Sequence, residues 1–341
     1  MSGPTDNLQH ASENPQNNKI IQHRSKESSP DHKEKRLRGT KRKGPDDANP
    51  LKACSKRLKI SQSVVSGVNN HLPPGVLVPI GTQWQHNSCT YDAICTVLFN
   101  VWREDPAEMT LSWNELNNDI LNSFTASFEL HVENSTGPAS YSLEQIRDQF
   151  RYKLARMDDE FAFGRYASVH TIINRLLVSW EPVTRSVRRC HADHAMDSDE
   201  RDSHSCKIPI MGDSTPIRYS IQEYIEDFSV PLSVTCIECS NKLVRSFSFV
   251  CHPPLLCIEL WHRPRLLDPV LHIDAGGFRR QYNLRGVIYF LGKHFTSRFI
   301  ARNGMVWFHD GLLTGSSLIY MSSDISSIPI EESTLAIYIR C

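Results

Sequence analysis

The segment NSCTYDAICTVLFNVW, residues 87–102, constrains the fold more than any other stretch of the chain. Tyr91, Ile94, Cys95, Leu98, Phe99 and Trp102 recur at i, i+3, i+4, i+7, i+8 and i+11, which gathers them on one helical face. Such a helix has to be covered by the rest of the molecule, so Cys95 belongs to a core. Cys89 stands off the deep part of the stripe, directly after Asn87 and Ser88, both good helix-capping residues. Its sulfur then falls in the first helical turn, where unpaired amides and the helix dipole favour the thiolate, the nucleophilic form of cysteine. A small, inert cysteine at a buried helix start satisfies the same pattern. The choice between the two depends on whether the chain supplies a base.

The chain is long enough, at 341 residues, for one large or two ordinary domains. No apolar signal-peptide region opens it and no run of eighteen apolar residues crosses a membrane. Its ten cysteines are therefore expected to be reduced, serving as ligands, nucleophile or core. The zero net charge conceals a division. Residues 1–78 carry 14 Lys and Arg against 7 Asp and Glu, and residues 79–341 carry 24 against 31. The first part is poor in aromatics and rich in Ser, Asn, Pro and Gln, the composition of a disordered tail. Its two basic clusters, HKEKRLRGTKRKGPDD and CSKRLKI, have the pattern of a nuclear-import signal or a nucleic-acid patch. The expected compartment is the nucleus, with the cytoplasm also compatible.

HLPPGVLVPIGTQW marks the boundary between tail and folded body. After the Cys89 helix, LSWNELNNDILNSF and YSLEQIRDQFRYKLA open with Ser112…Glu115 and Ser142…Gln145 capping boxes, and SVHTIINRLLVSW carries an apolar face. From about residue 217 the pattern turns to short β-rich runs, among them LVRSFSFV, LLCIELW, LRGVIYFL, FTSRFIA and LAIYIRC. The expectation is α+β: a helical lobe, then an antiparallel sheet lobe, with a cleft between them.

The sheet half offers the base. His294 lies between two strand-like runs and Asp310 follows a third, a placement that suits an imidazole oriented by an acceptor on a neighbouring strand. A hydrogen-bonded structural histidine would fit the spacing as well.

These motifs, in this order, resemble the ubiquitin-specific protease superfamily. NSCTYDAICTVL is similar to its cysteine box, with Asp92 at a position that brings it nearer to cylindromatosis-type deubiquitinases and SUMO-specific isopeptidase-like proteins. HPPLLCIEL resembles a later strand motif. Tyr282, Leu284, Val287, His294 and Phe295 resemble the histidine box, and VWFHDG the terminal motif that holds Asp310. The resemblance implies a papain-like cysteine protease fold that cuts after the C-terminal glycine of ubiquitin or a ubiquitin-like modifier, releasing it from its conjugates. Cys89 would be nucleophile, His294 base and Asp310 orienting acid. Departures accompany the matches. Trp84 stands where the family has an oxyanion-stabilising Asn, leaving Asn87, Gln85 and the Cys89 amide as donors. The glycine-rich segment before the histidine shrinks to Leu291-Gly292-Lys293. The acidic box that grips the basic ubiquitin tail is replaced by FGRYASVHTII.

Cys236 and Cys239 have C-x2-C spacing, and Cys190, His194, His204 and Cys206 lie upstream. Two such pairs close a tetrahedral structural zinc site. The resemblance places a zinc finger in this interval, about residues 183–250, with Cys190, His194, Cys236 and Cys239 as the first choice and Cys206 as a substitute. Cys251, Cys257 and Cys341 read as packing. A catalytically weak relative that only binds a modifier is the alternative function. A nucleic-acid adaptor is disfavoured because the folded body is net acidic.

Overall fold

Helix α1, Cys89–Glu104, is the central rod of the molecule: every residue from Cys89 to Trp102 is buried. Its apolar stripe accounts for one side. The remaining sides are covered because helices and sheet pack around it together. The computed structural model describes residues 72, 75–133, 141–190, 194, 200–209, 220–260 and 266–341. The basic clusters of the expected tail lie outside the described residues.

Helix α2, Pro106–Asn114, starts from Asp105, whose side chain accepts the Glu108 amide. It is followed by α3, Asp119–Glu133, α4, Leu143–Ala155, and α5, Val169–Leu176. Ser142 and Gln145 form the reciprocal capping box at the start of α4, and Ser168 caps α5. The Ser112…Glu115 box does not form. Ser112 is inside α2, and Asn118 caps α3 instead, accepting the Ile120 and Leu121 amides at 3.0 and 3.1 Å. Both residues suit an N-cap, and Pro106 had already begun a helix that carries Ser112 past its start.

Strands begin earlier than the composition shift near 217. β1 (Thr184–Arg189), β2 (Arg201–Ser203) and β3 (Lys207–Pro209) precede the short helix α6 (Ile221–Glu226). Then follow β4 (Ser229–Thr235), β5 (Lys242–Phe249), β6 (Leu255–Glu259), β7 (Val270–Ala275) and β8 (Phe278–Leu291). The last four are β9 (His294–Ile300), β10 (Val306–His309), β11 (Ile319–Ser322) and β12 (Ser333–Arg340). All twelve strands belong to one sheet. β1 is rich in Arg and Ser, and β2 and β3 are three residues each, so neither hydropathy nor length reveals them.

β8 organises the sheet. It pairs antiparallel with β7 along its first half and with β9 along its second, while β12 runs along its opposite edge and also pairs with β6. Tyr282, Leu284, Val287 and Ile288 on β8 are buried with Ala336, Ile337 and Tyr338 of β12 in the core that covers α1. Burying one side chain of this size contributes roughly 1.5–3 kcal/mol. Gly286 provides the closest approach, because a β-carbon there would overlap Val97 of α1. The helix bearing Cys89 and the strands bearing His294 are thus packed directly on one another.

Candidate active site

Cys89 is the first residue of α1 and only 3% exposed. Ser88 holds the N-cap position, but its hydroxyl does not cap. It accepts the Gln85 amide at 2.8 Å and donates to Asp92 at 2.6 Å. Asp92 also accepts from Thr82 at 2.8 Å and from Arg147 Nη1 at 2.8 Å. Burial pushes the Asp92 carboxyl up to about 6, against the pull of Arg147 and the two hydroxyls, so it remains a carboxylate at neutral pH. This buried ion pair ties α4 to the first turn of α1, with Arg147 Nη2 left without a hydrogen-bond partner.

Two arginines one turn apart on α4, both buried, hold the backbone that leads into Cys89. Arg147 Nη1 donates to the Gln83 carbonyl at 2.5 Å. Arg151 donates to the His86 carbonyl at 2.8 Å and to that of Gln85 at 3.4 Å. The Arg151 guanidinium is sandwiched near the rings of Phe163, 4.0 Å away, and Tyr91, 5.1 Å away. His86 and Asn87 both have left-handed backbone, φ 48° and 59°. Because C=O and N–H point opposite ways across a trans peptide, fixing the His86 carbonyl on Arg151 turns the Asn87 amide away from α4. The Cys89 amide is in the first turn, where helical N–H groups have no intrahelical acceptor. Asn87's own side chain is engaged elsewhere, donating to the Gly164 carbonyl at 2.7 Å.

His294 opens β9. Gly292 and Lys293, at φ 55° and 74°, form the two-residue turn that joins it to β8, with Leu291 paired to His294. That tight hairpin is the physical form of the shortened segment in the sequence. His294 Nε2 lies 2.8 Å from Asp310 Oδ1, and the ring is near enough to Cys89 for the two to interact electrostatically. With Nε2 committed to the acid, Nδ1 is left for the sulfur. Burial works against a charged imidazole here, but the bonds to Asp310 and Cys89 and their charges outweigh it and raise His294 from 6.5 to about 10. Asp310 is fully buried just after β10, and its Oδ1 also accepts the Leu312 and Leu313 amides at 2.9 and 3.2 Å. Its carboxylate is therefore fixed by the local turn as well as by the histidine. Trp84 N donates to the Gly311 carbonyl at 2.9 Å, which ties the lead-in to Cys89 to the residue after Asp310.

His309, next to Asp310, has a different role. Its Nε2 lies 3.1 Å from the Thr82 carbonyl and 3.2 Å from that of Gly315, and its Nδ1 lies 3.3 Å from the Thr96 hydroxyl of α1. Burial drives it down to about 4, so it is a neutral strut between α1, the lead-in segment and β10. Neither His309 nor the Arg147–Asp92 network was marked by any local pattern. Two arginines four apart on an amphipathic helix ordinarily signal its solvated face.

The four residues singled out for metal binding come together. Cys190, His194, Cys236 and Cys239 place one ligand atom each within 4.8 Å of all the others. Cys190 Sγ is 3.4 Å from Cys239 Sγ and 3.8 Å from His194 Nδ1, and Cys236 Sγ is 3.5 Å from that nitrogen. Tetrahedral ligands at about 2.3 Å from a zinc ion stand about 3.8 Å apart, so the set fits such an ion. Cys236 is lowered to about 6, first by the Cys239 amide and then by His194 and the Glu238 amide, the arrangement of a C-x2-C turn whose N–H groups face a thiolate. Cys206 lies apart from this group in the main core, its amide bonded to Leu177 O at 3.0 Å. Cys257 is buried and Cys251 half-buried, but Cys341 is exposed, because it follows β12 at the surface.

No family model matches the chain, and no curated protein matches it. Solved structures do. A chain of the SAGA DUB module Ubp8/Sgf11/Sus1/Sgf73 bound to monoubiquitin aligns with a TM-score of 0.52 at 13% identity, over 82% of this chain and 74% of that one. A chain of the same module bound to ubiquitin aldehyde gives 0.52 at 12% identity, over 84% and 72%. The mixed α/β fold is thus that of chains in a deubiquitinase module. Among the described residues no helix is long and apolar enough to cross a membrane.

Proposed function

We propose that the protein is a papain-like cysteine isopeptidase of the ubiquitin-specific protease type, cutting after the C-terminal glycine of ubiquitin or a ubiquitin-like modifier. The observation that carries this reading is the position of His294, bonded to Asp310 at 2.8 Å and near enough to Cys89 to interact with it. His294 holds the thiol proton as an imidazolium, and the Cys89 thiolate attacks the glycine carbonyl. The oxyanion accepts from the Cys89 and Asn87 amides, an arrangement that dispenses with a side chain at position 84. The imidazolium then protonates the leaving amine, and water, deprotonated by the same ring, hydrolyses the thioester. The neighbours bound to ubiquitin support a modifier of this kind as partner, and Asp92 in the cysteine box supports a divergent branch of the family.

Zinc is the ion we assign to Cys190, His194, Cys236 and Cys239, in a structural role only, closing the end of β1 against the turn between β4 and β5. The basic clusters before residue 60 support nuclear accumulation.

The reading is tested by incubating the full chain with ubiquitin and SUMO bearing C-terminal electrophiles. A covalent adduct on Cys89, absent in Cys89→Ala and retained in Cys95→Ala, is the expected result. Failure of Cys89 to react with any Gly-Gly modifier would overturn it.

A further inference from the structure

Beside the Cys89–His294 pair is a cavity of about 460 Å³. One wall is the segment running along the start of α1, with Tyr166 and Val169. The other is the β8–β9 hairpin, with Phe290, Lys293 and Phe295. The first wall is held to the nucleophile's helix by the bond from Thr90 to the Ala167 carbonyl, 2.8 Å. The second contains His294 itself, flanked by Lys293 and Phe295 in sequence. Phe290 and Phe295 meet across the hairpin as tilted rings with centroids 4.7 Å apart, and Phe290 and Tyr166 are each about half exposed, apolar surface that faces an open channel.

The charge in this channel is of one sign. Lys293 lines it, and no Asp or Glu does. Glu259 meets His170 at 3.7 Å behind the wall, but Lys207 already neutralises it at 2.7 Å. Of the acidic residues that precede the first wall, Asp159 and Glu160 are exposed and do not line the cavity, and Asp158 is paired with Arg175 at 3.4 Å. A basic side chain entering here would lose water and meet a like charge without gaining a carboxylate. Cys89, only 3% exposed, also admits little beyond a glycine backbone at the acyl end.

Resting on the isopeptidase reading above, we propose that this cavity receives the C-terminal tail of the modifier and selects tails whose side chains ahead of the terminal glycines are uncharged or acidic, against basic tails. Lys293 is the residue that sets the preference, standing one position before His294 on the rim.

The test uses the full chain and three peptide vinyl sulfones that differ only in tail charge: Leu-Arg-Leu-Arg-Gly-Gly, Leu-Gln-Leu-Gln-Gly-Gly and Leu-Glu-Leu-Glu-Gly-Gly. The second-order rate of adduct formation at Cys89 is read by mass spectrometry. The Gln and Glu probes are expected to react about tenfold faster than the Arg probe, the scale of one unpaired charge contact near a protein surface. Lys293→Glu should reverse the order of the Arg and Glu probes. An Arg probe that reacts as fast as the others overturns the selectivity and leaves the isopeptidase reading standing. An unchanged ranking in Lys293→Glu overturns the role of this wall. No adduct on Cys89 with any of the three overturns both readings together.

Discussion

Arg151, buried on α4, donates to the carbonyl of His86 at 2.8 Å and so fixes the His86–Asn87 peptide, two residues before Cys89. Arg151→Met keeps the bulk between Phe163 and Tyr91 but releases that carbonyl. Hydrolysis is expected to fall about 10- to 100-fold, short of the loss of a whole oxyanion donor. Alkylation of Cys89 by iodoacetamide, which builds no oxyanion, should hold near wild type. Equal losses in both assays would mean that Arg151 supports only the fold.

Asp310 governs the alkaline side of the pH profile. His294 keeps its proton until about pH 10, against 6.5 for an ordinary histidine. Its contribution to folding stability is therefore complete below pH 6.5 and is lost as pH rises through 10. Turnover needs the same proton for the leaving amine, so kcat/KM should hold through mild alkali and fall near pH 10. In Asp310→Asn the limb should move to lower pH and the plateau drop ~10- to 10,000-fold. A limb at the same pH in both proteins would contradict the assignment of Asp310.

Chelation should separate stability from chemistry. The full chain is expected to carry a single equivalent of zinc, measured by elemental mass spectrometry, and to lose it in Cys236→Ser. The melting temperature should then drop by about 5 °C or more, the scale of ~2 kcal/mol in a domain of this size. The rate of Cys89 alkylation should hold, since the metal cluster and the Cys89 helix belong to separate groups of buried side chains. Retention of full metal content by Cys236→Ser would refute the ligand set.

Gly286 is where helix and sheet touch without a side chain between them. Gly286→Ala should destabilise the protein by about 1–3 kcal/mol, the range for forcing a methyl group into a filled core. Val97→Ala should return much of that loss, which a double-mutant cycle in denaturant measures. Additive effects would show that the two residues do not meet.

Cys89, His294 and Asp310, which the proposed mechanism uses, could be picked out in the sequence because each stands at a boundary with a visible signal: Cys89 after capping residues, His294 and Asp310 beside β-rich runs. The metal cluster was readable from C-x2-C spacing joined to an upstream Cys-x3-His. What it hid are the residues that act from behind. Arg147, Arg151 and His309 are polar side chains buried by tertiary contacts, and nothing in local periodicity distinguishes them from solvated ones. The strands β1 to β3 escaped for a related reason: they are short or polar and exist because neighbouring strands complete their hydrogen bonding. Ser112 misled because its capping chemistry is local, and the start of α2 at Pro106 overrode it.

β12 comes after every other strand of the sheet in sequence, yet its place is between β6 and β8. A ribosome would therefore deliver Cys89, His294 and Asp310 before the strand that closes the sheet behind them. Until residues 333–340 emerge, the edge of β8 opposite β9 has no partner and the hairpin that aims His294 is unsupported on that side. A nascent chain thus holds all three side chains before the sheet that carries two of them is complete, and their arrangement waits for synthesis of the last strand.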